Sequence, residues 1–178
     1  MRTWPDLVKL FERHGGVWGG CWCMFYHVTE GWSKRTPEQN RADKQKLVKQ
    51  GKAHGILVYF GGDPVGWCQF GPRAESPRVD RKKGYTPSAE DIWRITCFFV
   101  DRQHRRMGIA RRALDAALQT MRTRGAKSVE AYPALLGTGK TSSSFLWSGT
   151  SKLFEAAGFK QVVRLGRGSA VFSIALQK

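Results

Sequence analysis

The stretch Phe98-Phe99-Val100-Asp101-Arg102-Gln103-His104-Arg105-Arg106-Met107-Gly108-Ile109-Ala110 has the residue types and order that point most directly to chemistry. An apolar strand runs into a basic loop, and the loop turns at Gly108 into a helix. The first N–H groups of a helix lack partners within it, and the helix dipole adds partial positive charge there. A glycine lets the backbone come close to a ligand. Arg105 and Arg106 add formal charge. Together these features make a cradle for a pyrophosphate. The plain alternative is an ordinary strand-to-helix turn with exposed arginines.

Such a cradle needs a strand before it and a helix after it, and the flanking sequence predicts both. Residues 92–100 form the most continuous apolar strand pattern in the chain. Ala110, Ala113, Leu114, Ala117, Leu118 and Met121 make one stripe at helical spacing over 109–124, and Gly125 stops it. Elsewhere the pattern predicts a helix at 4–14 and a strand at 19–28. A surface helix is expected from Pro37 to Gly51, with Thr36 as its N-cap. Strands are expected at 56–60 and 65–70 around a Gly61-Gly62-Asp63 turn, followed by a polar loop from Gly71 to Pro87. A strand at 128–132, a loop from Gly137 to Ser144, a short helix from Ser148 to Ala157 and a closing hairpin at 159–165 and 170–176 complete the order. Hairpins mixed with one strand–helix–strand unit imply an α/β (α+β) fold. Its mixed sheet would have six to seven strands, with helices on both faces.

The bulk numbers bound the rest. A chain of 178 residues, 41% hydrophobic and 25% charged, fits one domain with its own core. No apolar run is long enough for a bilayer, and the first residues lack a signal-peptide pattern, so a cytoplasmic protein without a membrane partner is expected. Thirty Lys and Arg against fourteen Asp and Glu leave a net charge of +16. That field attracts anions, including nucleotide phosphates, RNA, DNA and the ribosome, and it disfavours polycationic substrates. The oligomeric state is not encoded in any pattern, a dimer included. Cys21, Cys23, Cys68 and Cys97 sit in apolar stretches and read as buried thiols. Their spacing does not match paired zinc ligands, so no metal is expected. The run Ala134 to Thr141 nearly spells a phosphate-binding P-loop, but it has Ala134 at the first required glycine and no helix-forming residues after it. We read it as a loop that shapes the substrate mouth or is simply mobile.

Arg105-Arg106-Met107-Gly108-Ile109-Ala110 resembles the acyl-CoA signature of the GNAT superfamily of N-acetyltransferases, Q/R-x-x-G-x-G/A. The resemblance extends to the strand ending at Val100 and to Phe154-Glu155-Ala156-Ala157-Gly158-Phe159, which looks like the family's last helix end. By element order it covers residues 54–176, with 1–53 as a variable amino-terminal part. Residues 92–125 would be the acyl-CoA-binding strand, loop and helix of a single domain spanning 1–178. Gly20 to Met24 and Ser148-Gly149-Thr150 also resemble a bacterial branch of the superfamily, which implies no particular substrate.

The resemblance implies acetyl-CoA as co-substrate and direct attack by an amine in a ternary complex. Backbone amides from Arg106 to Ala110, Met107 and Ile109 included, would hold the pyrophosphate, with Arg105 at the signature's first position. Phe98, Phe99 and Val100 would pair with the pantetheine arm, placing the thioester near Cys97 and Phe98. Backbone N–H groups near Phe98 would face the oxyanion. The family's acidic tyrosine aligns with Phe154, which cannot donate a proton: either another group serves, with Tyr132 and Ser151 as candidates, or the thiolate leaves unassisted, or the chemistry is lost. Glu130 is the candidate base, or else a surface carboxylate paired with an arginine. Cys97 is a candidate acyl carrier, or else core packing. His104 is expected to be exposed in the basic loop, and His27 and His54 have no assigned role. The alternative function is a binding module on the same fold, seated on RNA, DNA or the ribosome by its charge.

Overall fold

The computed structural model describes residues 2–89, 91–135 and 146–176. Most of the P-loop-like run and all of the predicted 137–144 loop lie outside the described residues. Six strands make one sheet: β1 (His54–Phe60), β2 (Asp63–Pro72), β3 (Trp93–Val100), β4 (Ser128–Ala131), β5 (Lys160–Leu165) and β6 (Ser169–Ala175). Their order across the sheet is β1-β2-β3-β4-β6-β5. Every neighbouring pair is antiparallel except β3 and β4. That parallel pair is joined through α3 (Ile109–Thr123), since two parallel strands need a crossover between them. The other helices are α1 (Trp4–Glu12), α2 (Pro37–Lys49) and α4 (Ser151–Glu155).

Alternation along the strands sorts the core into two layers. Cys68, Phe70, Ile95 and Phe98 face α3 and α4, where they meet Leu114, Leu118, Met121 and Phe154. Trp67 and Cys97, with Leu57 and Phe99, face α1 and pack with Leu7, Leu10, Phe11 and Trp22. Helix α3 docks close to β2 because Gly66 has no side chain. A Cβ there would lie 2.4 Å from the Ile109 side chain.

Two sequence expectations fail. Residues 19–28 are not a strand but a run of turns, bonded from Trp22 N–H to the Gly16 carbonyl and from Met24 N–H to the Cys21 carbonyl. Gly15, Gly16, Gly19 and Gly20 all take positive φ, as do Val17, Trp18, Trp22 and Cys23, so the chain winds on itself and cannot extend. Helix α2 does have a buried stripe, but a polar one. Asn40 and Lys44, one turn apart, are its buried residues, which an apolar-periodicity search passes over. Thr36 caps it as expected, in a full capping box with Gln39.

Candidate active site

Strands β3 and β4 stay paired only from Trp93↔Val129 to Ile95↔Ala131. Beyond that point β3 continues to Val100 while β4 departs through Tyr132 and Pro133. The Asp101 N–H donates to the Val65 carbonyl, so odd-numbered residues bond towards β2. Phe98 and Val100 therefore turn their backbone groups to the open edge. The Phe98 N–H is taken there by the Trp147 carbonyl at 2.6 Å, and the Val100 carbonyl accepts from Arg105 Nε at 3.3 Å.

The opening holds a cleft of about 550 Å³. Phe98, Phe99, Val100, Arg105, Arg106, Gly108, Ile109 and Ala110 all line it, so the structure brings together every cradle residue read from sequence except Met107, whose side chain is exposed. Gly108 is the N-cap of α3 at φ 74°, with no side-chain cap to occupy the helix's first amides. A Cβ at Gly108 would meet nothing within 4 Å, so the space before these amides is open. Asp101 braces the loop. Its carboxylate accepts from the Gln103 N–H at 2.9 Å and lies 3.3 Å from His14 Nε2. Burial pushes this carboxyl up, but the Gln103 amide, His14 and Arg13 together hold it below its usual range. His104 is tucked in, not exposed: its ring packs on Phe60 and its Nδ1 sits 3.8 Å from Asp101.

A second cavity, of about 360 Å³, opens on the other side of Trp147. The two share Val17, Trp18 and Trp147. Because successive residues of a strand face opposite ways, Cys97 lines the second cavity and Phe98 the first. Phe25, Tyr26 and Trp32 also wall the second cavity. Sequence reasoning missed all three walls and Trp147. The available signals were the glycine pairs at 15–16 and 19–20, which mark turns, and the aromatic density from Trp18 to Trp32.

Three sequence candidates lie away from the cavities. Glu130 is not a surface carboxylate. It is 1% exposed, and it accepts from Ser88 Oγ at 2.7 Å, from Tyr132 at 2.9 Å and from Tyr85. Tyr132 is equally buried. Burial first, against the pull of Arg94, and then the charge of Glu130 hold its phenol well above the usual range, which makes it a poor acid. Arg94, fully buried beside them, donates to Tyr85 and pairs with Asp80. This network pins the paired half of β3 and β4. Ser151 opens α4 and lines neither cavity, whereas its neighbour Thr150 lines the first and caps α4 by accepting from the Leu153 N–H. Phe154 is wholly buried between Phe98 and Phe159. The Cys97 thiol lies 3.0 Å from that of Cys23, itself pushed well above its usual value, by burial above all. Among the described residues, no three His, Cys, Asp or Glu side chains group as metal ligands.

Comparison with known proteins accords with this geometry. An N-acetyltransferase from Staphylococcus aureus Mu50 superposes with a TM-score of 0.57 at 12% identity, covering 99% of this chain and 94% of its own. An acetyltransferase from Thermus thermophilus gives 0.56 at 18%, covering 98% and 92%. The Salmonella typhimurium protein yncA, solved with its cofactor acetyl-CoA, gives 0.56 at 15%, covering 98% and 90%. At such identities the likeness establishes the fold. A comparison with curated proteins finds no match. The sequence pattern of the Acetyltransferase (GNAT) family matches residues 21–135, more than half of the chain. That family uses acetyl-CoA, and the cleft fits such a group: an uncapped helix start and two arginines for the phosphates, and a β3 edge unpaired with any strand, where the arm would displace the Trp147 carbonyl. The chain belongs to the GNAT family of acetyltransferases.

Proposed function

We propose that the protein is an N-acetyltransferase that moves the acetyl group of acetyl-CoA to an amine by direct attack in a ternary complex. The observation that carries this reading is the meeting of two cavities at Trp147, where β3 turns Phe98 to one and Cys97 to the other. In this reading Arg105, Arg106 and the amides from Arg106 to Ala110 bind the pyrophosphate, and Val100 bonds the pantetheine arm. The Phe98 N–H reaches the oxyanion once the Trp147 carbonyl gives way. A direct route needs no protein nucleophile. Cys97 agrees with that: its thiol contacts the Cys23 thiol and the Phe98 carbonyl, and no imidazole, among its described contacts.

The acceptor class follows from charge. No carboxylate lines the second cavity among the described residues, and the whole molecule is strongly basic, so a polycation finds no counter-charge there. The aromatic side chains that could serve as a nucleic-acid platform are largely spent on core and cavity: Trp4, Phe11, Trp22, Trp67, Phe70, Phe154 and Phe172 are buried. The test of the direct route is Cys97→Ser. Turnover of acetyl-CoA with an accepted amine should stay within a few-fold of wild type, and intact-protein mass should not change on incubation with acetyl-CoA alone. A stable gain of one acetyl group, lost in Cys97→Ser together with turnover, would overturn it.

A further inference from the structure

The second cavity has a chemistry of its own. Its walls are Phe25, Tyr26, Trp32 and Trp147, with ring centroids 5.1 to 5.8 Å apart in mostly edge-on contacts. Edge-to-face packing of this kind leaves ring faces for a further flat ring. The walls are stiffened from outside: the Arg78 guanidinium lies 4.6 Å from the Phe25 ring, and Lys82 Nζ lies 5.6 Å from the Tyr26 ring. A dry cavity of about 150 Å³ suffices for one benzene ring. At about 360 Å³ this one takes a substituted ring.

Two of its polar side chains, Asn40 and Gln69, are already engaged. Asn40 donates to the Gly20 carbonyl and accepts from Arg35. Gln69 donates to Thr96 and accepts from Lys44, a fully buried lysine whose Nζ also reaches His27 Nε2 and the Cys23 carbonyl. The charged group in its wall, Arg35, is already paired with Asp43, so the cavity offers an ammonium group no free counter-charge among the described residues. Neither a carboxylate nor an imidazole lines it among the described residues, and the sequence Leu136 to Phe145 contains neither type. Among the described residues, an acceptor here meets no carboxylate or imidazole to strip its proton.

We propose that this cavity is the acceptor site and that its acceptor is a small aromatic amine whose nitrogen is uncharged at neutral pH. The proposal rests on the acetyltransferase reading above. An alkyl ammonium has a pKa near that of lysine, so only about one molecule in a few thousand is neutral at pH 7. An amine borne directly on an aromatic ring is neutral already, because its lone pair is shared with the ring. The ring stacks among Trp32, Phe25 and Tyr26, and the amine points past Trp147 to the thioester carbon. The C–N bond forms, the C–S bond breaks, and the nitrogen's proton passes through water to the departing thiolate. The products are the N-aryl acetamide and CoA with its thiol restored.

Two arms test it with defined probes. The first is calorimetry of 4-methylaniline against the protein without acetyl-CoA. Saturable binding is expected, weakened about tenfold in Trp32→Ala, while acetyl-CoA affinity in the same variant stays near wild type. Phe25→Leu, a milder change, should move the affinity the same way and covers the case in which Trp32→Ala does not fold. The second arm compares kcat/KM for 4-methylaniline and 4-methylbenzylamine. The aniline should be favoured by about tenfold or more at pH 7 with a flat profile to pH 9, and the benzylamine should rise with pH as it loses its proton. Preference for the benzylamine at pH 7, or aniline binding indifferent to both substitutions, would overturn the proposal. Failure of acetyl-CoA to bind would instead strike the acetyltransferase reading, and the first arm would still judge the cavity.

Discussion

Glu130 shows how far a residue's type can mislead without its surroundings. A carboxylate on the strand beside the splay invites the role of base. It is instead enclosed by three hydroxyls, from Tyr85, Tyr132 and Ser88. A buried carboxylate held in this way stabilises the fold, and removing one partner leaves a polar group unsatisfied. Tyr132→Phe should therefore lower stability by about 1–3 kcal/mol in urea denaturation. Glu130→Gln should also lower the melting temperature, yet leave the pH profile of kcat/KM unmoved. A shifted profile would restore Glu130 to the chemistry.

At the scale of elements, the strand-loop-helix of the cleft was legible from sequence because it is local. An apolar run, a basic loop, Gly108 and a stripe at helical spacing all lie within 92–125, and β3 and α3 appear within a residue or two of expectation. The acceptor side was not legible, because it is assembled from afar. Turns at 17–26, a short 3-10 turn at Trp32–Lys34, α2 and Trp147 converge on β3, and only tertiary contact brings them together. The same locality makes Gly108 the sharpest element-scale probe. A side chain there costs about 1 kcal/mol for its left-handed φ, and it projects into open cleft rather than into protein. Gly108→Trp should fold, with its indole filling the space before the α3 amides.

Across the whole molecule, charge and burial set the conditions of stability and binding. With a net charge of +16, the protein draws anionic ligands, and salt should weaken that attraction. Under the acceptor cavity, His27 is held neutral: burial, and then the Lys44 cation, push its pKa down from 6.5 to about 3. In the unfolded chain the same histidine protonates below about pH 6.5, so the unfolded state binds more protons across that window. Stability should fall as pH drops from about 6.5 towards 3, by up to about 1.4 kcal/mol per pH unit from this group. Urea denaturation of wild type and His27→Gln between pH 7.5 and 5 checks the sign. The wild type's margin over the variant should shrink as pH falls, and a constant margin would mean His27 is not held neutral.

Acetyl-CoA binding turns on the cleft before α3. Its most direct measurement is calorimetry of acetyl-CoA with wild-type protein and with folded Gly108→Trp. Saturable binding to the wild type is expected, and loss of that binding in the variant at an unchanged circular dichroism spectrum. Equal acetyl-CoA affinity in the two proteins would place the ligand elsewhere and contradict the site.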